Sequence, residues 1–356
     1  MYCVNKTALF LYFLSFLQIW SHTAFIVDKK DECVLIQNCS HVNAILKTKK
    51  DTFAGTTLLT LLHCKFEYNR IYVKCPDSQQ VTKFMDSGEL IPNYDSCGVE
   101  LPVPKMLIEG GEPTCIGDYP WIGLIKYRTK KGTMLYGCHG SLITKRYLLT
   151  AAHCVDPNML NLVGRNLTSV VLGEYDVWSE TDCMLDDCAD KIQDIPVESY
   201  HMHPDYKLST FTDDIALIRM SREVEYTDFI KPICLPPKNL ITPFNETLLI
   251  AGWGDTEHGV MNRFKVQAKF MLRHRETCRV NRKLTTKQYC VGSTHNAQTC
   301  PGDSGGALML RKVLDESRLF LIGVYSLGVG CHFNSNTSIF TKVSSYVEWV
   351  VTTIHK

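Results

Sequence analysis

Sixteen cysteines in 356 residues are the strongest constraint this sequence places on its own fold. Cytosolic thiols stay reduced, so a chain this rich in cysteine is suited to an oxidising compartment, where disulfides can form. Zinc is the competing explanation, but the spacings lack paired C-x-x-C knuckles and the histidines are not placed to complete them. The N-terminus agrees with the first reading. After Lys6 comes "TALFLYFLSFLQIW", an apolar run of signal-peptide length, then "SHTA", with small residues for cleavage near Ala24. A membrane anchor needs about 20 apolar residues. This run is shorter and no second one exists, so residues 1–24 read as a signal peptide and secretion without a membrane anchor is expected. Sequons at Asn38, Asn166, Asn245 and Asn336 offer glycan sites. A hydrophobic content of 45% is ordinary for a globular protein, and a net charge of +1 gives no support to a nucleic-acid partner.

Three zones follow the signal segment. Residues 25–75 hold Cys33, Cys39, Cys64 and Cys75 but few large apolar runs. A module this small needs covalent staples. Residues 76–107, with "CPDSQQ" at the boundary and "LPVPK" near the end, read as a polar, proline-bearing linker. From Ile108 onward, short apolar or β-branched runs such as "PWIGLIKY", "SVVLGEYDV", "DIALIRM" and "LFLIGVYSLG" alternate with turn residues. That texture predicts an all-β barrel or sandwich. Only "SSYVEWVVTTIHK" at the end shows helical spacing, with Tyr346, Trp349, Val350 and Ile354 on one face.

The chemistry-bearing residues are spread across residues 108–356. A serine hydroxyl becomes nucleophilic when a base takes its proton and a buried carboxylate orients that base. His153 stands in "TAAHC", Asp214 directly before "IALI", and Ser304 in "GDSGG". Each has an ordinary structural explanation when taken alone. Together, in the order His, Asp, Ser, they match one class of serine proteases and differ from the orders of subtilisins and α/β-hydrolases.

Residues 108–356 therefore resemble a chymotrypsin-fold serine protease, with "IEGG", "TAAHC", "DIALI", "AGWG" and "GDSGG" in the expected order. The resemblance implies a mainly β chain with two six-stranded β-barrels and the triad between them. It assigns Ser304 as nucleophile, His153 as base, Asp214 as orienting acid, and the amides of Gly302 and Ser304 as the oxyanion hole. Residues 25–75 resemble a clip domain, so the whole chain looks like an arthropod clip-domain protease. Clip domains usually carry six cysteines ending in an adjacent pair. Here "VKCP" puts Lys74 in the first place of that pair, and no cysteine lies between the signal region and Cys33. The two absent cysteines bond to each other in the family, so one staple is lost without leaving an orphan. The resemblance implies the bridges Cys33–Cys64, Cys39–Cys75, Cys97–Cys234, Cys138–Cys154, Cys183–Cys188, Cys278–Cys290 and Cys300–Cys331. Cys115 is left over, as a buried thiol or as an intermolecular bridge.

The same resemblance implies a zymogen. Cleavage of Leu107–Ile108 would free the Ile108 amine to insert and pair with Asp303. Relatives usually have Arg or Lys before this bond, so Leu107 implies an activator that prefers apolar residues. At the base of the specificity pocket, where trypsin-like relatives carry Asp, this chain has Gln298. Leu327 replaces a usual Trp and Ser338 a usual Gly, beside Gly328 on the pocket wall. A desolvated basic side chain would lack its ionic partner there, so non-basic primary specificity is expected. Alternatively, Gln298 fills a pocket that catalysis no longer uses. The loop "LGEYDVWSETDC" resembles a calcium loop, with Glu174, Asp176 and Asp182 as hard oxygen ligands. No cofactor is otherwise required. Implied partners are protein substrates, an upstream activating protease and serpin inhibitors, in innate immunity, melanisation or Toll-type signalling. The rival readings are a catalytically idle regulator of the same fold and a digestive enzyme. The intact Ser304 argues against the first, and the N-terminal module against the second.

Overall fold

The computed structural model describes residues 33–67, 70–100, 112–184, 187–238, 240–254, 261–278, 283–293, 304–311, 318–328 and 337–355. The expected signal segment lies outside them, as do Leu107 and Ile108.

Six strands form the first barrel: β1 (Ile122–Thr129), β2 (Met134–Leu142), β3 (Tyr147–Thr150), β4 (Arg165–Leu172), β5 (Gln193–Met202) and β6 (Ala216–Met220). They close in the order β5-β6-β3-β2-β1-β4, all antiparallel. The short runs behind β3 ("YLLT") and β6 ("ALIRM") are buried at every position, as strands flanked on both faces must be. The second barrel comprises β7 (Leu248–Gly252), β8 (Val266–Arg273), β9 (Gln288–Ser293), β10 (Ala307–Arg311), β11 (Leu319–Gly328) and β12 (Thr337–Lys342). Its order is β7-β10-β11-β12-β9-β8, and a β7–β8 ladder closes it. Closure removes the exposed edges that would otherwise invite pairing with other chains. This is the double six-stranded barrel expected from the sequence.

The N-terminal module is a three-stranded sheet, Cys33–Leu35, Arg70–Lys74 and His63–Glu67, with two helices, α1 (Ser40–Lys49) and α2 (Phe53–Leu62). Cys33–Cys64 and Cys39–Cys75 staple it. Thr52 caps α2 by accepting from the Gly55 amide at 3.0 Å.

The segment read as a linker contains a third helix, α3 (Ser78–Gly88). Asp77 caps it, accepting from the Gln79 amide at 2.7 Å. Val81, Phe84, Met85 and Gly88 fall on one buried face at helical spacing. That face packs on α2 and on the C-terminal helix α5 (Val347–Thr353), the helix expected from sequence. A short fourth helix, α4 (Pro157–Val163), leads into β4. At the centre of the seam a Cβ built on Gly88 would stand 2.7 Å from the Ala54 Cβ and 3.6 Å from Val351 Cγ1. Side chains of the module, the first barrel and α5 form one continuous apolar cluster. Beside it, Tyr94 bridges Phe53 of the module and Phe320 of β11, with ring centroids 5.9 and 5.5 Å away. The module thus borrows apolar surface that its few residues cannot supply.

Gly88→Val should force Ala54 and α5 apart. The expected cost is about 1–3 kcal/mol, read as a lower melting temperature and faster limited proteolysis between α3 and the barrels. An unchanged melting curve would show that the seam is not tightly packed.

Candidate active site

Asp214 enters immediately before β6 and is fully buried. Its Oδ1 accepts from the His153 backbone amide at 2.9 Å, and its Oδ2 lies 2.8 Å from His153 Nδ1. Ser326 Oγ, from β11 of the other barrel, donates to Oδ2 at 2.6 Å. The Asp214 backbone carbonyl accepts from Thr341 Oγ1 at 2.8 Å. An isolated buried carboxylate would be prohibitive, so these donors are a condition of the fold. The turn ahead of it is strained, with Phe211 and Asp213 at φ 48° and 51°. Gln288 Nε2 donates to the Phe211 carbonyl at 3.1 Å, and Lys287 and Tyr346 hold the Asp213 carboxylate at 2.8 and 2.9 Å. The second barrel and α5 thereby fix a turn of the first.

His153 sits in the single 3-10 turn after β3, fastened by Cys138–Cys154. With Nδ1 held by the carboxylate, Nε2 is the nitrogen left for proton transfer. It faces the Cys154 sulfur at 3.7 Å, and the ring edge meets Phe211 at 5.6 Å. Ser304 opens the turn leading to β10. Its carbonyl accepts from the His139 amide of β2 at 2.8 Å, which ties the serine to the first barrel. The next residue, Gly305, has φ 76°, and a Cβ there would collide with Thr150 Oγ1 and the His139 carbonyl. Only glycine permits both the conformation and the approach. His153 and Ser304 line one cavity of about 300 Å³, shared with Tyr136, Met159 and Leu160. The structure therefore brings His153, Asp214 and Ser304 to the junction of the barrels. The His153–Ser304 hydrogen bond is not formed in this geometry, as is common in sites without substrate.

Gly328 and Ser338 are directly paired across β11 and β12. Gln298, Gly302, Asp303, Asn336 and Cys300–Cys331 lie outside the described residues. Six disulfides form among the described residues: Cys33–Cys64, Cys39–Cys75, Cys97–Cys234, Cys138–Cys154, Cys183–Cys188 and Cys278–Cys290. Cys115, in none of these bridges, is 3% exposed. Such burial is at odds with an intermolecular bridge. Asn38, Asn166 and Asn245 are exposed. Ser326 and Thr341 escape sequence reasoning although both stand in strand motifs, because their partner is over a hundred residues away.

The donor set of the acidic loop is a poor match for the expected calcium. Calcium takes six to eight oxygens, but Asp176 gives both carboxylate oxygens to Arg263, at 2.7–3.0 Å. Asp182 accepts the Tyr175 and Asp176 amides at 2.8 and 3.2 Å, and Glu174 the Tyr175 amide at 3.1 Å. The opposing charge is Lys265, 3% exposed, whose Nζ donates to the Asp118 carbonyl at 3.1 Å. Burial pulls Lys265 down to about 8, against the attraction of Asp118, Glu174 and Asp182. Burial, then the neighbouring Asp182, pushes Glu174 up to about 7. These residues do not fit a calcium ion.

A carboxyl raised from 4.5 to about 7 keeps a proton in the folded state that the unfolded chain releases. The folded state then binds more protons across that window, so stability falls as pH rises through it. Glu174→Gln should flatten the decline in melting temperature between those two pH values. A parallel decline in the variant would show that Glu174 is not its source.

The trypsin family model matches residues 108–350. "Phenoloxidase-activating enzyme 1" of Spodoptera litura is 31% identical over 346 residues, covering 91% of both chains. "CLIP domain-containing serine protease HP8" of Bombyx mori is 33% identical, again covering 91% of each. Among solved structures, the Drosophila Grass clip serine protease of the Toll pathway superposes with a TM-score of 0.65 at 27% identity, over 91% of this chain and 94% of that one. The double barrel, the stapled N-terminal module and these relatives agree: the chain belongs to the trypsin family, among the clip-domain serine proteases.

Proposed function

We propose that this protein is a secreted serine endopeptidase, made as a zymogen and acting in an extracellular proteolytic cascade. One observation carries the reading: buried Asp214 holds His153 beside the cavity that Ser304 shares. In this reading Ser304 Oγ attacks the scissile carbonyl while His153 Nε2 takes its proton. Asp214 steadies the resulting imidazolium, and the proton then passes to the leaving amine. Water releases the acyl group by the same steps. The Gly302 and Ser304 amides hold the oxyanion, and one such donor is typically worth about 100- to 1000-fold in rate.

Residues 25–75 serve as the clip domain, 76–107 as the activation segment and 108–356 as the catalytic domain. Cutting Leu107–Ile108 frees the amine that pairs with Asp303. Cutting after Lys105 would leave Met106 and Leu107 attached and Asp303 without its partner, an expensive outcome for a buried charge. Leu107 therefore implies an activator that is not trypsin-like. Neutral Gln298 supports cleavage after non-basic residues. The phenoloxidase-activating and Toll-pathway names of the relatives support a place in innate immunity, melanisation or Toll-type signalling. Substrates are then proteins, another zymogen among them, and serpins the natural inhibitors.

Naturally activated material should begin at Ile108 on N-terminal sequencing; a start at Met106 would overturn the activation reading. The full chain carrying Leu107→Arg, opened with trypsin that is then removed, should react with a fluorophosphonate, and Ser304→Ala should abolish labelling. Opened chain that neither labels nor cleaves peptides would refute the enzymatic reading.

A further inference from the structure

The specificity pocket holds a side chain whose role the sequence did not disclose. β11 passes the triad at Ser326 and continues through Leu327 to Gly328, which pairs with Ser338. The β11–β12 register shifts between Tyr325 and Leu327. One extra residue inverts the alternation of a strand, so positions three apart come to share a face. Tyr325 is thereby turned toward Gly328. A Cβ built on Gly328 would overlap the Tyr325 hydroxyl, and would stand 3.2 Å from its Cζ and 3.5 Å from Ser338 Oγ. In the sequence, Gly328 is read as part of the pocket wall, with no side chain to fill the space before it. In the structure that space belongs to the phenol of Tyr325.

The ring is held firmly. It is 4% exposed and meets the Phe340 ring edge-on, with centroids 5.2 Å apart. Its backbone is bound to the nucleophile's own turn: the Gly305 amide donates to the Tyr325 carbonyl at 3.0 Å, and the Tyr325 amide to the Gly306 carbonyl at 2.9 Å. Swinging the ring away would break its packing on Phe340, while the backbone bonds hold the residue itself beside the turn of Ser304. The strand that carries Ser326 to Asp214 therefore carries, one residue earlier, a bulky group filling the space between the Gly328 and Ser338 walls.

We infer that Tyr325 is the residue that sets primary specificity, closing the pocket to all but small uncharged side chains such as Gly, Ala and Ser. Long apolar residues are excluded as well as Arg and Lys, so the selection is by volume and does not depend on Gln298. This inference rests on the reading of Ser304 as a working nucleophile.

The test uses the opened full chain and four otherwise identical fluorogenic peptides ending in Ala, Leu, Phe or Arg before the scissile bond, with fluorophosphonate labelling as a readout of the triad. Wild type should favour Ala over each of the others by at least about tenfold in kcat/KM, within the range that shape selection supplies. Tyr325→Val should move the preference toward Leu or Phe by about tenfold or more, whereas Tyr325→Phe, which keeps the ring, should retain the wild-type order. Wild type that labels but prefers Leu, Phe or Arg would overturn the inference, as would labelled Tyr325→Val with an unaltered order. If Tyr325→Val does not fold, the wild-type and Tyr325→Phe profiles still decide. Wild type that does not label removes the peptidase reading, and this inference falls with it.

Discussion

A carboxylate with no access to water governs this structure. Asp214 is held by the amide and ring of His153 and by Ser326, while its backbone is held by Thr341. Those donors come from two barrels, so neither barrel alone satisfies it. Burying such a group is costly unless the surrounding bonds form together. The requirement that aligns the site is thus also one that locks the barrels in register. The strained turn at Phe211 and Asp213 fits this view, because the residues restraining it come from β9, its approach and the entry to α5.

The N-terminal module follows a different logic. Its two bridges limit the unfolded chain, a restraint typically worth about 2–5 kcal/mol each in small secreted domains, and its apolar side chains merge with those of the first barrel. Beyond these two bridges, the helix α3, packed against α2 and α5, supplies contacts that a freestanding module would lack. The segment between module and barrels is therefore partly structural, with Cys97 bonded to Cys234 at its far end.

Much of this was legible in the sequence because the informative residues are local. "TAAHC", "DIALI" and "GDSGG" carry their own spacing, and the short buried strands announce themselves as apolar runs. Three features were not legible. The face of α3 is visible as Val81, Phe84, Met85 and Gly88, but neighbouring prolines and polar residues masked the period. Ser326 and Thr341 are unremarkable hydroxyls until folding brings Asp214 to them. Tyr325 passes unremarked inside the run "LFLIGVYSLG", because a register shift is a property of strand pairing and leaves no composition signal. The cations facing the acidic loop stay hidden for a related reason: Arg263 and Lys265 lie some eighty to ninety residues from its carboxylates.

That last arrangement has a consequence for how the loop is held. Where the counter-charge is an ammonium and a guanidinium carried by the polypeptide itself, the loop's shape is set at biosynthesis. A fold braced in this way needs no dissolved mineral to hold that corner in shape.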